Sequence, residues 1–262
     1  MKKSFNILKF AFKEQLEYRL NFFLGIITMV INDFIFLAIF IIFLGYFTGT
    51  GLSFGNFLLI HSIIAFQYAI VNGVFSNIGD LPSIIEEGKL DYYLSFPVNT
   101  LKFIVLSKIK VHNLGDVLFA LASMIIYAIY FYEGAWYIFV SKRFVIVIVA
   151  LFFAAGLFIM IGSVSFRLQK GSKVRDLFQS FFLVFGSYPP TIFKSDKLVF
   201  VLISMIGLYP GVYLPYQMII GNASMLDRII LFVSGALMFL IGIWIFKRGL
   251  RRYSSGNLVV QM

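Results

Sequence analysis

The sequence is poor in residues that carry covalent or metal chemistry. Its 262 residues contain no cysteine and only two histidines, His61 and His112. This composition excludes disulfide bonds, a thiolate nucleophile and a cysteine-ligated zinc site. No second histidine stands near His61 in the sequence, which favours a structural or interfacial role for it over metal ligation. We predict neither a metal site nor a catalytic centre in this chain.

Charged residues are also scarce. They make up 13% of the chain, whereas 60% of it is hydrophobic and 33 residues are phenylalanine. A soluble globule of this size needs more polar side chains to cover its surface, so the composition is typical of a polytopic membrane protein. The net charge of +10 comes from basic residues that flank apolar spans. We therefore predict contact with anionic membrane lipid and no nucleic acid partner.

The apolar spans predict an all-α membrane protein with a single transmembrane domain over residues 1–262. Residues 1–20 carry apolar side chains at helical spacing among lysines and glutamates, which predicts an interfacial amphipathic helix. Seven candidate spans follow: 22–47, 57–79, 111–132, 144–166, 177–193, 198–220 and 229–246.

The sixth candidate span is interrupted by Pro210, Gly211 and Pro215. We expect residues 194–224 to form a re-entrant hairpin on the outer side, which leaves six crossing helices and both termini in the cytoplasm. The basic tail 247–262 then obeys the positive-inside rule, whereas a seventh crossing would place it outside. We assign five residues to an outer gate: Pro189, Pro190, Pro210, Gly211 and Pro215. The alternative for Pro189 and Pro190 is that they only end the fifth span.

The longest charged interruption between two apolar spans is residues 80–102, here called the docking segment. Its apolar positions are too dense for a loop that contacts only water. Gly88 and Pro97 predict a short helix ending at Gly88 and a second amphipathic turn before Pro97. Such a segment would present an aromatic face with acidic edges to a partner. The alternative is a cytoplasmic loop whose aromatic side chains lie among lipid headgroups.

Polar residues within the spans are costly in lipid and therefore informative. Asp33 lies near the middle of the first span, so its carboxyl group must be protonated, paired or exposed to a water-filled cavity. The alternative to a role on the translocation path or at a dimer interface is an internal bond from Asp33 to Asn72, to Gln67 or to another span. Asp116 shares a helical face with His112, and the two could bond each other. We assign four residues to the translocation path or to a dimer interface: Asn32, Asp33, Asn72 and Asp116.

A second compact group of charges is the basic run Arg167, Lys170, Lys173 and Arg175. Such a run usually marks the cytoplasmic side of a membrane protein. It could also contact anionic lipid or a partner protein.

The order of these parts resembles the permease subunit of ABC transporters of the ABC-2 export type. The matching features are the interfacial helix, the six spans, the loop IIEEGKLDYYLSFPVN between spans two and three, and LYPGVYLPYQ before the last span. The tail GLRRYSSGN, residues 249–257, is similar to the ending of a bacterial subgroup whose permeases are made with a second permease and a separate ATPase. The resemblance covers essentially the whole chain.

The resemblance implies a subunit of the bacterial cytoplasmic membrane that pairs with an identical or different permease and exports an amphipathic, lipid-like or drug-like cargo. ATP and Mg²⁺ would bind to a partner ABC ATPase, since the chain has no G-x-x-x-x-G-K-[ST] motif. In the family the loop after span two contacts the ATPase, which implies these docking residues: Ile84, Ile85, Glu86, Glu87, Leu90, Asp91, Tyr92, Leu94 and Pro97.

Two other classes of function remain open. One is an ATP-independent secondary transporter or channel, in which Asp33 would be the coupling group. The other is a membrane hydrolase, because Glu86 and Glu87 invite comparison with the EExxxR motif of membrane proteases. Asp91 stands where that motif has its arginine, which weighs against the hydrolase.

Overall fold

A computed structural model describes residues 2–44, 53–167, 171–187, 201 and 207–254. These ranges are almost entirely helical and contain no strand. The helices are α1 Lys2–Glu17, α2 Arg19–Leu44, α3 Phe54–Val74, α4 Ser76–Gly79, α5 Leu81–Glu86, α6 Leu90–Leu94, α7 Thr100–Ser107, α8 Leu114–Tyr130, α9 Trp136–Ser163, α10 Gly171–Gly186, α11 Leu214–Ile219 and α12 Met225–Leu250. Single 3₁₀ turns precede α8 and follow α9, and a π-helical turn precedes α11.

Five of the described helical stretches are long and apolar enough to cross a membrane. They are Arg19–Ile42, Phe54–Val74, Val111–Tyr130, Trp136–Phe166 and Met225–Leu250, and they coincide with the first four and the last of the predicted spans. Helix α10 covers the first part of the predicted fifth span, 177–193, whose remainder lies outside the described residues. The prediction of six crossings therefore stays a prediction, while a multi-helix membrane fold is confirmed.

Contacts between helices place the docking segment at one end of the bundle. The carboxyl end of α3 is followed directly by α4, and Gly79 of α4 lies against Phe158 near the carboxyl end of α9. At the opposite end Gly55, near the start of α3, lies against Phe131, which follows α8. Helices α3 and α8 therefore run antiparallel, whereas α3 and α9 run parallel. The end that carries α4–α7 is called the docking end.

Both ends of the described chain reach the docking end. Helix α1 packs against α7 and is separated from α2 by a turn at Tyr18. Beyond α12, Tyr253 packs against the cluster that contains Ile84 and Leu90. This arrangement agrees with two termini on one side of the membrane. The cytoplasmic identity of that side and the interfacial position of α1 stay predictions.

Helix α3 forms the centre of the bundle. In its most apolar window 78% of the residues are buried, compared with 11% for α2 and 22% for α12. The α3 side chains Leu59, Ile60 and Ile63 are almost fully buried in the main hydrophobic cluster, together with Val212 and Tyr213. Helices α2 and α12 instead direct most of their apolar surface outward, as helices in contact with lipid or another subunit do.

The stretch 207–224 of the predicted hairpin runs along the half of the bundle away from the docking end. It starts at Gly207, which lies against Phe153 and Leu157 in the middle of α9. It ends near the start of α9, where the Arg143 guanidinium donates a hydrogen bond to the Met218 carbonyl at 3.1 Å. Residues 188–200 and 202–206, which include Pro189 and Pro190, lie outside the described residues. The re-entrant hairpin therefore stays a prediction.

Candidate functional site: a docking segment beside a polar cavity

The docking segment is built from three short helices. Helix α5 follows Asp80 directly and has Pro82 in its first turn, where the missing backbone donor has no cost. Gly88, in the turn after α5, has a φ of +67°, a left-handed conformation that glycine adopts without strain. Helix α6 follows at once, and a bend containing Pro97 separates it from α7. The predicted helix–Gly88–turn–Pro97 pattern is confirmed.

Two predicted docking residues are buried inside the segment. Ile84 is 7% exposed and Leu90 is fully buried, in a cluster with Ile78, Ile104 and Phe246. Neither side chain reaches the surface of this subunit, and the docking role of Ile84 and Leu90 stays a prediction. The two side chains hold α5 and α6 against α7 and α12. Ile85 packs against the same cluster but remains partly exposed.

The other side of the segment is an exposed face of aromatic and acidic residues. Tyr92, Leu94 and Phe96 are 59%, 41% and 41% exposed. The ring of Phe96 packs edge-to-face against those of Tyr92 and Phe103, with centroid distances of 5.0 and 4.9 Å. Of the remaining docking residues, Glu86, Glu87 and Pro97 are exposed, and Asp91 is half-buried. We call Glu86, Glu87, Tyr92, Leu94, Phe96 and Pro97 the exposed docking face.

Charges on the segment are paired locally. Glu87 forms an ion pair with Lys89, and this hydrogen bond raises the pKa of Lys89 above its ordinary value. At the other edge Asp91 lies next to Tyr253. Burial raises the pKa of Tyr253, and the Asp91 carboxylate raises it further. The contact joins the chain beyond α12 to α6.

Hydrogen bonds fix the segment to the end of α3. The Asn77 amide nitrogen lies 2.9 Å from the Ile104 carbonyl, 2.9 Å from Ser107 Oγ and 3.0 Å from Tyr93 Oη. The Ser76 hydroxyl donates to the Lys108 carbonyl at 3.1 Å. Since Asn77 is buried, these bonds are shielded from water and make α4, α6 and α7 a rigid unit.

An ion-pair cluster connects the docking segment to α10. Arg175 Nη1 lies 3.2 Å from Asp80 Oδ1, and Lys108 Nζ lies 3.0 Å from Asp80 Oδ2. Arg175 also donates to the Gly79 carbonyl and pairs with Asp176 at 2.7 Å. Arg175 is recognisable in the sequence as one member of a basic run, whereas its partner is not. The Asp80 partner is 95 residues away in the sequence and carries no local signal.

A polar cavity of about 510 Å³ lies between α2, α3, α8 and α10. Asp80 and Arg175 line it at the docking end, and Lys110 lines it beside them. All of the residues predicted for the translocation path or a dimer interface also line it: Asn32, Asp33, Asn72 and Asp116. The structure thus brings those residues together around one space. Their role in transport stays a prediction.

The end of the cavity away from the docking segment is called its inner end. It holds a buried group of Asp33, His61 and Asp116. These residues are 7%, 5% and 4% exposed. His61 Nε2 lies 3.6 Å from Asp33 Oδ1, and Asp116 lines the same cavity. The His61 ring stacks on Phe36 at 5.0 Å and meets the edge of Phe119 at 5.6 Å. Among the described residues, Asp33 Oδ2 and both ring nitrogens of His61 have no hydrogen-bond partner.

The predicted internal partners of Asp33 are engaged elsewhere. Gln67 donates to the Gly211 carbonyl at 2.7 Å, and the Asn72 side-chain carbonyl accepts a bond from Gln179 at 2.8 Å. Asp33 therefore bonds neither Gln67 nor Asn72, and its contact with another span is the one with His61 of α3. His61 could not be recognised from the sequence as the neighbour of Asp33, since that contact depends on how α2 and α3 face each other.

The other pair expected within one helical face is also not formed. His112 and Asp116 both line the cavity, but in the described part of the chain no hydrogen bond joins them. His112 packs instead against Gly25 of α2. The lack of a side chain at Gly25 leaves room for His112, which lies in the 3₁₀ turn before α8.

Comparison with known proteins identifies the family. The family model described as ABC-2 family transporter protein matches residues 26–256. The chain belongs to the ABC-2 transporter family. No curated protein and no solved structure matches the chain. It is thus a multi-pass membrane protein and a permease component of a transporter, and the family implies association with ABC ATPase components.

The family match covers both sites of this ABC-2 permease. It includes the docking segment and every lining residue of the polar cavity, whereas α1 lies before it. In a transport subunit the two sites can have separate tasks: the exposed docking face can contact a partner, and the cavity can hold a cargo. Asp80 belongs to both, since it precedes α5 and lines the cavity.

Proposed function

We propose that this chain is the permease subunit of an ATP-driven exporter in the bacterial cytoplasmic membrane. A separate ABC ATPase binds ATP and Mg²⁺ and acts on the docking segment, and a second permease, identical or different, completes the translocation pathway. The observation that carries the proposal is the Asp80–Arg175 ion pair, since it joins the docking segment to a helix that lines the polar cavity.

Coupling in this proposal is mechanical. The ATPase contacts the exposed docking face and moves when it binds or hydrolyses nucleotide. Ile84 and Leu90 are packed into the same cluster as Phe246 of α12, so α5 and α6 transmit the displacement as a rigid unit. Arg175 then transfers the movement to α10, whose Gln179 and Leu183 line the cavity.

The lining of the cavity supports an amphipathic, lipid-like or drug-like cargo. Phe36, Tyr68 and Phe158 offer apolar surface beside the carboxylates of Asp33 and Asp116. Its volume of about 510 Å³ falls within the range that accommodates drug-sized molecules. The proposal also puts both termini and the docking end in the cytoplasm, because the ATPase must contact the docking end from that side.

The direct test is affinity purification of the tagged chain from its native membrane, followed by mass spectrometry of the bound proteins. We expect an ABC ATPase, with or without a second permease. Tyr92→Asp and Leu94→Asp should remove the ATPase because they place a charge on the exposed docking face. Tyr137→Asp is the matched control, since Tyr137 is 61% exposed at the other end of the bundle and Tyr92 is 59% exposed. Undiminished ATPase binding by both docking variants would contradict the docking assignment.

A second candidate function is ATP-independent transport, and the buried Asp33–His61 contact is the observation that favours it. A carboxylate and an imidazole within the membrane can carry a coupling proton. Transport in intact cells separates the candidates. If transport continues after ATP depletion and stops when the proton gradient is collapsed, the exporter proposal is replaced by this one.

A further inference from the structure

Acidic side chains outnumber lysine and arginine at the inner end of the polar cavity. Asp33 and Asp116 lie there, both more than nine-tenths buried. Two lysine or arginine side chains line the cavity in the described part of the chain, Lys110 and Arg175, and both lie at its docking end. Arg175 is occupied by Asp80, Asp176 and the Gly79 carbonyl. The basic side chain in contact with Asp33 is that of His61, and His112 is the other histidine that lines the cavity.

Buried charge without compensation is costly, and the polar atoms here lack partners. Asp33 Oδ2, His61 Nδ1 and His61 Nε2 make no hydrogen bond within the described residues, although all three are shielded from solvent. An isolated carboxylate in such surroundings requires a counter-charge or a donor. A cation in the cavity would supply it.

Aromatic rings surround the same position. Phe36 lines the cavity and stacks on His61, Tyr68 lines it from α3, and Phe119 meets the His61 ring from α8. Aromatic faces attract cations. An organic cation binds to them more strongly because its hydrocarbon part adds apolar contact. Ile64 and Phe158 extend that apolar surface along the cavity.

We infer that the inner end of this cavity is a binding site for a bulky organic cation, held by Asp33 and Asp116 and by the surrounding aromatic rings. The inference assigns a substrate class, cationic amphiphiles, and in that respect it rests on the proposed export function. Binding itself needs neither ATP nor the docking contact. An anionic cargo is disfavoured because Arg175 already has its carboxylate partners.

Two probes of nearly identical shape and opposite charge test the inference. The full-length chain, purified with its native partners in lipid nanodiscs and without nucleotide, is titrated with tetraphenylphosphonium or tetraphenylborate. We expect saturable binding of tetraphenylphosphonium beyond the partitioning measured with empty nanodiscs. Asp33→Asn and Asp116→Asn should each weaken it about tenfold or more, as removal of one member of a buried charge pair does. Glu133→Gln is the control, since Glu133 is exposed at the opposite end of the bundle.

Several results would overturn the inference: equal binding by the wild type and both Asn variants, saturable binding of tetraphenylborate, or no saturable binding of tetraphenylphosphonium. Should the Asn variants fail to fold, labelling of the wild-type protein tests the site without them. A hydrophobic carbodiimide modifies buried carboxyl groups, and peptide mass spectrometry locates the product. Tetraphenylphosphonium should protect Asp33 and Asp116, and absence of protection would be evidence against the site. Recovery of the ATPase in the same preparation tests the export proposal separately.

Discussion

The docking segment and the inner end of the cavity both use carboxylates, but in opposite settings. Glu87 is exposed and pairs with Lys89, two residues away in the sequence. Asp33 is buried and lies next to His61 of a different helix. Exposed charges interact weakly through water, whereas buried charges depend on every neighbouring group. The first region is suited to reversible contact with a partner, and the second to selecting what enters the cavity.

The largest expected effect comes from two leucines of the docking segment. Leu90 is fully buried and Leu94 is 41% exposed. Leu90→Asp should destabilise the protein by about 4 kcal/mol or more, because it removes apolar packing and buries a charge. Leu94→Asp should leave stability nearly unchanged and reduce ATPase co-purification. Thermal unfolding and pull-down from the same preparations measure both effects. Equal destabilisation by the two variants would contradict the division between a buried and an exposed face.

The next prediction concerns the connection between the two regions. Arg175→Ala removes the contact of α10 with Asp80 but leaves the exposed docking face unchanged. We expect the ATPase to remain bound while the number of cargo molecules transported per ATP falls about fivefold or more, as for the loss of a coupling interaction. The measurement is ATP hydrolysis and transport in the same proteoliposomes.

A matched control separates coupling from simple loss of charge. Asp176 pairs with Arg175 but is 61% exposed, so Asp176→Asn should have little effect on transport per ATP. A double-mutant cycle of Arg175→Ala with Asp80→Ala should show strong non-additivity. Additive effects would mean that the ion pair does not transmit the movement.

The sequence was informative wherever neighbouring residues determine the outcome. Gly88 and Pro97 act on the backbone around them, so the helix–turn pattern of the docking segment could be predicted. Asp33 and Asp116 could be grouped as polar residues that must avoid lipid. Their actual neighbours could not be predicted, because the contact of Asp33 with His61 depends on the relative rotation of two helices.

The same limit explains why the buried and exposed residues of the docking segment could not be separated from the sequence. Leu90 and Leu94 are both apolar residues of one short helix, and composition does not distinguish them. The packing of α6 against α7 and α12 determines that Leu90 faces inward. The partner of Arg175 was hidden for a similar reason, since α10 and the start of α5 meet only in the folded bundle.

The smallest expected effect is a pH dependence at the edge of the docking segment. Burial and the Asp91 carboxylate raise the pKa of Tyr253 in the folded protein. The folded state therefore favours the protonated phenol, and the stabilisation is complete below the ordinary tyrosine pKa of about 10. It should be lost as the pH rises through the folded-state value. Thermal unfolding between about pH 8 and 11 should show a decline that is shallower in Tyr253→Phe, which cannot ionise. The exposed Tyr92→Phe variant serves as the control, and a decline of equal steepness in Tyr253→Phe and the wild type would show that this contact does not contribute.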